Sequence, residues 1–105
     1  MVATDKTVDS APTTVAKSRV YYYSATWCGP CRVFGPMVDE VSKDYPDIEI
    51  KKLDIDKEEA QILGFKHGVM SVPTLFNENT RPIVGAVSET TLRNWLDTIR
   101  SSTHG

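Results

Sequence analysis

The sequence contains 105 residues, of which 40% are hydrophobic and 25% are charged, and its formal net charge is −2. This length suits one domain rather than two, and the composition is that of an ordinary globular protein. The slight negative charge argues against nucleic acid as the main partner, because phosphate binding needs clustered lysine and arginine. No apolar run approaches the roughly 18–20 residues that cross a bilayer, which argues against a membrane protein.

Residues 1–18 are rich in threonine, serine, alanine, aspartate and lysine and carry few large apolar side chains. We predict a loosely structured lead-in over residues 1–18, with a short strand at residues 6–8, and one domain over residues 19–105. Pro12 and the two threonines after it disfavour a long first helix. The segment lacks the apolar centre of a secretion signal, which predicts a cytoplasmic protein whose thiols are kept reduced.

A strand followed directly by two cysteines is the most informative part of the chain. Residues 20–25 form a nearly continuous β-branched and aromatic run, which is typical of a buried central strand. The motif Trp-Cys-Gly-Pro-Cys follows at residues 27–31 and contains both cysteines of the sequence. Two thiols separated by two residues, beside a strand–helix pattern and without a competing third cysteine, indicate a redox couple that opens and closes a disulfide.

The rest of the chain predicts alternating helices and strands. Apolar residues recur at helical spacing over residues 32–45, so a helix follows the cysteines, and Pro36 within it removes one backbone donor. A strand is predicted over residues 48–55. A helix follows, which begins at a capping box of Asp56 and Glu59 and ends at Gly68. The last elements are a hairpin of residues 75–77 and 83–87 and a helix capped by Ser88. This order predicts an α/β fold with a mixed central β-sheet flanked by helices on both faces.

A cysteine pair can also be half of a zinc site, which would need two further ligands. The only histidines are His67, near a predicted helix end, and His104, in the tail. We therefore predict no metal site, and we interpret His67 as a solvent-facing or capping residue.

Several motifs of the sequence occur together in one known family. They are Trp-Cys-Gly-Pro-Cys at residues 27–31, Pro36 in the following helix, Lys-Leu-Asp-Ile-Asp at residues 52–56, Ser-Val-Pro-Thr at residues 71–74 and Gly85-Ala86. In this order and at these spacings, the chain resembles the thioredoxin family over residues 20–99. The resemblance implies a thioredoxin fold and thiol–disulfide exchange with protein substrates. This chain departs from the family in its N-terminal β-α segment, which we predict to be reduced.

The resemblance also implies partners and site residues. Substrates would be disulfide-containing proteins, and a reductase, by family likeness an NADPH-dependent flavoprotein, would recharge a monomeric protein. No bound cofactor is implied, because the electrons pass through the redox-active cysteines. Pro73 is expected to be cis and to face the cysteines, and Trp27, Val72 and Gly85 are expected to line a substrate groove. The backbone of Val72 would there pair with an extended substrate segment.

The reactive species in such an exchange is a thiolate, so the first cysteine has to ionise more readily than a free thiol. At the N-terminus of a helix, Cys28 would gain about 0.3–1 kcal/mol from the helix dipole, and hydrogen bonds would supply the rest. We expect Cys28, exposed beside Trp27, to be the nucleophile and Cys31 to be the resolving cysteine. Pro30 limits the motion of the ring, and the Gly29-Pro30 pair resembles the family's reductants rather than its oxidants.

Residue 22 departs from the family pattern. The family usually carries a buried aspartate six residues before the first cysteine, held near a strand lysine, and this aspartate is thought to take the proton of the resolving thiol. Here Tyr22 occupies the aspartate position, whereas Lys52 retains the lysine. Tyrosine is a poor base at neutral pH. Either Cys31 loses its proton through water or Lys52, or Tyr22 and Lys52 form a hydrogen bond and rebuild the polar site.

Two other functions fit the same sequence. A thioredoxin-fold protein can serve as a binding module or partner subunit whose cysteines are dispensable, and a cysteine pair of this spacing can also serve an oxidase or isomerase. Replacing both cysteines by serine separates the first alternative from a disulfide reductase. The redox potential of the pair separates the second.

Because tyrosine replaces the family's aspartate, we expect slower disulfide reduction than in a family member that has the aspartate. The Tyr22→Asp variant should therefore reduce insulin several-fold faster in a steady-state assay. An unchanged rate in a variant that keeps its native circular dichroism would remove this expectation.

Overall fold

The computed structural model describes residues 18–104, with side chains as far as Ser101. The predicted strand at residues 6–8, and all of the predicted lead-in except Ser18, lie outside the described residues. Within the described range the elements are β1 (Ser18–Ser24), α1 (Gly29–Ser42), β2 (Ile48–Asp54), α2 (Glu58–His67), β3 (Thr74–Phe76), β4 (Ile83–Val84) and α3 (Glu89–His104).

The described strands form one mixed sheet in the order β2-β1-β3-β4. β1 runs parallel to β2 and antiparallel to β3, and β3 pairs antiparallel with β4. The predicted α/β fold with a mixed central sheet is confirmed, and β1 lies inside the sheet as its sequence predicts. Because β1 and β2 are parallel, their carboxyl ends lie at the same edge of the sheet, where the cysteine motif follows β1.

Both faces of β1 are covered by helices, which explains its nearly continuous apolar sequence. Val20 and Tyr22 pack on one face, whereas Tyr23 packs on the other with Leu53 of β2 and Ala60 of α2. The helical residues of the first face are Phe34, Val38 and Val41 from α1 and Leu92, Leu96 and Ile99 from α3. Full burial of each such side chain stabilises the fold by about 1.5–3 kcal/mol, so this packing fixes the position of α1 on the sheet.

The start of α2 differs from the prediction. The helix begins at Glu58, with Lys57 in the cap position and without a side-chain capping hydrogen bond. The Asp56 N–H donates to Asp54 Oδ1 over 2.9 Å, which places Asp56 in a turn that closes β2. The predicted capping box is therefore wrong, whereas Gly68 ends the helix as predicted, in the left-handed region at φ 73°.

The C-terminal elements match the predicted hairpin and helix, except that the second strand of the hairpin is shorter than predicted. β4 has two residues and lies at the edge of the sheet. Pro82 immediately precedes it, as expected of a proline beside an edge strand. Ser88 Oγ accepts a hydrogen bond from the Thr91 N–H over 3.2 Å, so Ser88 caps α3 as predicted.

His67, at the end of α2, packs among aromatic rings. Its ring stacks on Phe76 with 4.0 Å between the centroids and lies 4.9 Å from the ring of Tyr21. Burial, and then the interaction with Tyr21, raises the pKa of Tyr23 to about 12. The Tyr23 hydroxyl therefore stays protonated at physiological pH, and its oxygen forms a 2.7 Å hydrogen bond with His67 Nδ1. The interpretation of His67 as a solvent-facing or capping residue is wrong, because β1 and β3 present three rings that half-bury it.

Burial lowers the pKa of His67, the charge of Lys66 lowers it further, and Glu78 opposes both. The unfolded chain therefore binds more protons than the folded chain once the pH falls through the ordinary histidine pKa of about 6.5. We expect the urea midpoint of unfolding to decrease between about pH 7 and about pH 5.5, and to decrease less in the His67→Gln variant. The same pH dependence in both proteins would contradict this account.

Candidate active site

The two cysteines lie where β1 passes into α1. Cys28 is the N-cap of α1, Gly29 is its first residue, and Pro30 occupies its first turn. Proline suits this turn because the first N–H groups of a helix have no partner within it. Cys31 lies one turn further and forms a disulfide with Cys28, with 5.3 Å between the two Cα atoms. The helix thus begins within the motif, three residues before the start at residue 32 that the apolar spacing predicted.

The sulfur of Cys28 lies over the N-terminus of α1. The Cys31 N–H donates a hydrogen bond to Cys28 Sγ over 3.2 Å. The same sulfur lies 3.8 Å from the carbonyl oxygen of Val72. A backbone N–H and the positive end of the helix dipole both favour negative charge at this position. The site can therefore stabilise a Cys28 thiolate once the disulfide is reduced.

The disulfide is less exposed than the sequence indicates. Cys28 is 5% exposed and Cys31 is 6% exposed. Ala25, Ile55 and Val72 pack against the pair and cover most of it. The expectation of an exposed Cys28 is therefore wrong for this oxidised form, and a substrate sulfur can meet only a small part of the pair.

The loop before β3 completes the surroundings of the disulfide. The Val72–Pro73 peptide bond is cis, and the Val72 carbonyl faces Cys28. The Gly85 N–H donates to the Pro73 carbonyl oxygen over 2.8 Å. Gly85 itself adopts φ 89°, in the region that favours glycine. The loop thus brings Pro73 and Gly85 together and places Val72 beside the sulfur.

Trp27 is an exposed side chain that a hydrogen bond anchors. It is 64% exposed, and its Nε1 donates to both carboxylate oxygens of Asp56 at 3.1 and 3.2 Å. It lines a cleft of about 180 Å³ together with Ile55 and residues 69–72. Sequence reasoning missed this role of Asp56. The parallel pairing of β1 with β2, which places Asp56 at the edge where Trp27 lies, is the signal that could have found it.

Tyr22 and Lys52 do not form the pair that the sequence suggested. Tyr22 is 2% exposed, and its hydroxyl has no hydrogen-bond partner among the described residues. Lys52 instead binds Asp39 of α1, with Nζ 2.6 Å from Oδ1 and 2.7 Å from Oδ2. The hypothesis of a Tyr22–Lys52 hydrogen bond is wrong, because Lys52 is half-exposed whereas the Tyr22 hydroxyl lies buried against Gly35. Burial, and then the charge of Asp39, raises the pKa of Tyr22, so its hydroxyl is neutral at physiological pH.

The family to which this chain belongs follows from its sequence relatives. Residues 1–98 match the family model described as Thioredoxin. Thioredoxin 1 of Synechococcus elongatus is 42% identical over 77 residues, which cover 70% of this chain and 71% of that protein. The chain belongs to the thioredoxin family.

Other relatives and solved structures agree. Mitochondrial thioredoxin O1 of Arabidopsis thaliana is 45% identical over 56 residues, which cover 53% of this chain and 29% of that protein. Chloroplastic thioredoxin M5 of Oryza sativa is 31% identical over 106 residues, which cover 97% of this chain and 61% of that protein. The match thus spans less than two thirds of each of these two relatives. The crystal structure of oxidised thioredoxin O2 from Arabidopsis thaliana superposes with a TM-score of 0.67 at 36% identity, covering 79% of this chain and 75% of that one.

Membership of the family, together with the disulfide, defines the reaction class. This thioredoxin is a thiol–disulfide oxidoreductase with disulfide reductase activity, and its redox-active group is the pair formed by Cys28 and Cys31. Thioredoxins carry electrons on their cysteines and need no cofactor. Between residues 18 and 104, no helix is long and apolar enough to cross a membrane.

In the reduced protein we expect Cys28 to ionise more readily than a free thiol, because the Cys31 N–H and the helix dipole favour its thiolate. The Cys31→Ser variant should react with iodoacetamide several-fold faster than free cysteine at about pH 7, where an ordinary thiol is only a few per cent ionised. The Cys28→Ser variant is the matched control and should react slowly, since Cys31 lies inside the first turns of the helix. Equal alkylation rates in the two variants would contradict this reading of the site.

Proposed function

We propose that this thioredoxin reduces disulfide bonds of protein substrates, with Cys28 as the nucleophile and Cys31 as the resolving cysteine. One observation carries the assignment, the hydrogen bond from the Cys31 N–H to Cys28 Sγ at the N-terminus of α1. This bond stabilises negative charge on Cys28 and not on Cys31, whose sulfur belongs to the residue one turn inside the helix. The cysteine that ionises more readily is the one that attacks.

The reaction passes two electrons from the dithiol to the substrate. The Cys28 thiolate attacks one sulfur of the substrate disulfide, so that a mixed disulfide forms and the other substrate sulfur leaves as a thiolate. Cys31 then loses its proton and attacks Cys28 Sγ, so that the intramolecular disulfide forms and the second substrate sulfur leaves. Gly29 and Pro30 support this step by setting the first turn of α1. The step is intramolecular, because both cysteines belong to one chain and their Cα atoms are 5.3 Å apart. This closeness favours Cys31 over any thiol in solution as the attacking group.

Trp27, Val72, Pro73 and Gly85 form the substrate-binding surface in this proposal. The Val72 carbonyl lies 3.8 Å from Cys28 Sγ, so an extended substrate that pairs with the Val72 backbone brings its own sulfur to the reactive one. Pro73 has no N–H that would compete for this pairing. The space beside Gly85 is open to a substrate, since a Cβ at this residue would meet no atom within 4 Å. The exposed indole of Trp27 offers apolar contact beside this surface.

The oxidised protein needs an external reductant before the next turnover. By family likeness we propose a thioredoxin reductase, an NADPH-dependent flavoprotein, that acts on a monomeric thioredoxin. The cytoplasm is the proposed compartment, because its thiols are kept reduced. The names of the relatives also include mitochondrial and chloroplastic proteins, so fractionation of cells that express the protein is the test of its compartment.

We expect Cys28→Ser to lose all insulin reduction and Cys31→Ser to accumulate a covalent complex with its substrate, because the mixed disulfide then lacks its resolving thiol. Insulin precipitation with dithiothreitol measures the first effect, and non-reducing electrophoresis measures the second. Both variants should keep native circular dichroism, which controls for unfolding. Trapping by Cys28→Ser instead would reverse the two roles. Full biological function in the double serine variant would favour a binding module over a reductase.

A further inference from the structure

One cavity extends from the resolving cysteine towards the surface. Its volume is about 360 Å³, and its lining includes Cys31, Tyr22, Gly35, Asp39 and Lys52. A water molecule occupies about 30 Å³ in the liquid, so the cavity has room for several. It is open to solvent, and polar side chains reach it from β1, β2 and α1, so water can enter it and form hydrogen bonds there.

The cavity follows one face of α1. Cys31, Gly35 and Asp39 lie at successive steps of four residues and therefore on the same side of the helix. Gly35 has no side chain, so the space between the other two stays open, and the Tyr22 hydroxyl lies 3.5 Å from the position that a Gly35 Cβ would take. Residues 31 and 39 are about 12 Å apart along the helix axis, so a proton can pass between them only through intervening groups.

The Tyr22 hydroxyl is suited to be one of these groups. It is buried and has no hydrogen-bond partner among residues 18–104, and ordered water in the adjoining cavity is a group that would satisfy it. Burial and the charge of Asp39 raise the pKa of Tyr22, so the hydroxyl stays protonated and can pass a proton on without keeping it. A water chain can therefore continue past Tyr22 to the carboxylate of Asp39.

We propose that Asp39, held at the rim of the cavity by Lys52, accepts the proton that Cys31 loses, and that water in the cavity carries this proton past the Tyr22 hydroxyl. The proposal rests on the resolving role of Cys31 proposed above. The Cys31 S–H bond breaks, and the proton reaches the Asp39 carboxylate. The electron pair of the sulfur forms the bond to Cys28, and the substrate sulfur leaves as a thiolate that later takes a proton from solvent. Here α1 supplies the carboxylate that the family usually places at residue 22.

The other charged groups at the cavity define the control. Arg32 donates to the Thr26 carbonyl oxygen over 3.3 Å, and Asp54 Oδ1 accepts the Asp56 N–H over 2.9 Å. Asp54 is the second carboxylate that lines the cavity. The Asp54→Asn variant removes the same charge as Asp39→Asn and keeps an oxygen for the turn, so it is the matched control.

The chromogenic disulfide dithiobis(nitrobenzoate) separates the two chemical steps. The reduced protein releases one thionitrobenzoate when Cys28 attacks, at a rate proportional to the reagent concentration. It releases a second when Cys31 closes the disulfide, at a rate independent of that concentration. Stopped-flow absorbance over about pH 6 to about pH 9 measures both phases and their pH profiles. The side chains of Asp39 and Lys52 are 54% and 50% exposed, so loss of their ion pair should leave the protein folded.

We expect Asp39→Asn to slow the second phase roughly tenfold at neutral pH and to shift its pH profile upwards, with the first phase unchanged. Asp39→Glu should recover most of the rate, and Asp54→Asn should resemble the unsubstituted protein. A second phase in Asp39→Asn that matches Asp54→Asn in rate and pH profile would overturn the proposal. Absence of the first phase in the unsubstituted protein would instead overturn the reactive Cys28 on which the proposal rests.

Discussion

The hydrogen bond from the Cys31 N–H to Cys28 Sγ is the interaction on which the chemistry of this thioredoxin depends. It forms because α1 begins at the cysteine motif, where the first N–H groups of the helix have no partner within it. Burial of Phe34, Val38 and Val41 holds the helix in this place. Each of these side chains contributes about 1.5–3 kcal/mol, against about 0.3–1 kcal/mol for a charge at a helix end. Core packing therefore sets the position of the helix, and this position places Cys28 Sγ where the helix N-terminus can stabilise its negative charge.

The alternation of side chains along β1 gives two neighbouring tyrosines different surroundings. Tyr22 points to the face that α1 covers, so its hydroxyl lies against Gly35 in the cavity that Cys31 lines. Tyr23 points to the opposite face and forms a hydrogen bond with His67. Burial is the main cause of the raised pKa of both tyrosines, yet only Tyr22 is placed where a neutral hydroxyl can serve the redox site. A shift of one residue in the register of β1 would exchange these surroundings.

In the proton transfer proposed above, a carboxylate of α1 takes the place of the one that the family pattern puts in β1. With tyrosine at residue 22, Lys52 pairs with Asp39 at the surface end of the same cavity. A carboxylate in this position is half-exposed, so its ionised form keeps contact with solvent and avoids the cost of burial. As a consequence, the carboxylate of Asp39 lies farther from Cys31 than a carboxylate at residue 22 would. The proposed proton transfer therefore needs water between Cys31 and Asp39.

Local patterns predicted much of this fold because each depends on residues close in sequence. The apolar run of β1, the helical spacing of α1 and the terminal residues Gly68 and Ser88 all act within one or two turns of the chain, and these predictions are confirmed. The capping box at Asp56 failed because the turn after β2 and the indole of Trp27 compete for the same residue. The surroundings of His67 could not be predicted, since three strand rings from two separate strands create them.

The sequence by itself determined the redox pair, because Cys28 and Cys31 are three residues apart and one helical turn brings their sulfurs together. Only the tertiary structure decided what surrounds them. Val72, which contacts the Cys28 sulfur, is 44 residues away from it in the sequence, and Lys52 is 13 residues away from its partner Asp39. Such contacts depend on the order and register of the strands and on the position of α1 against the sheet. No short pattern of residues specifies these features.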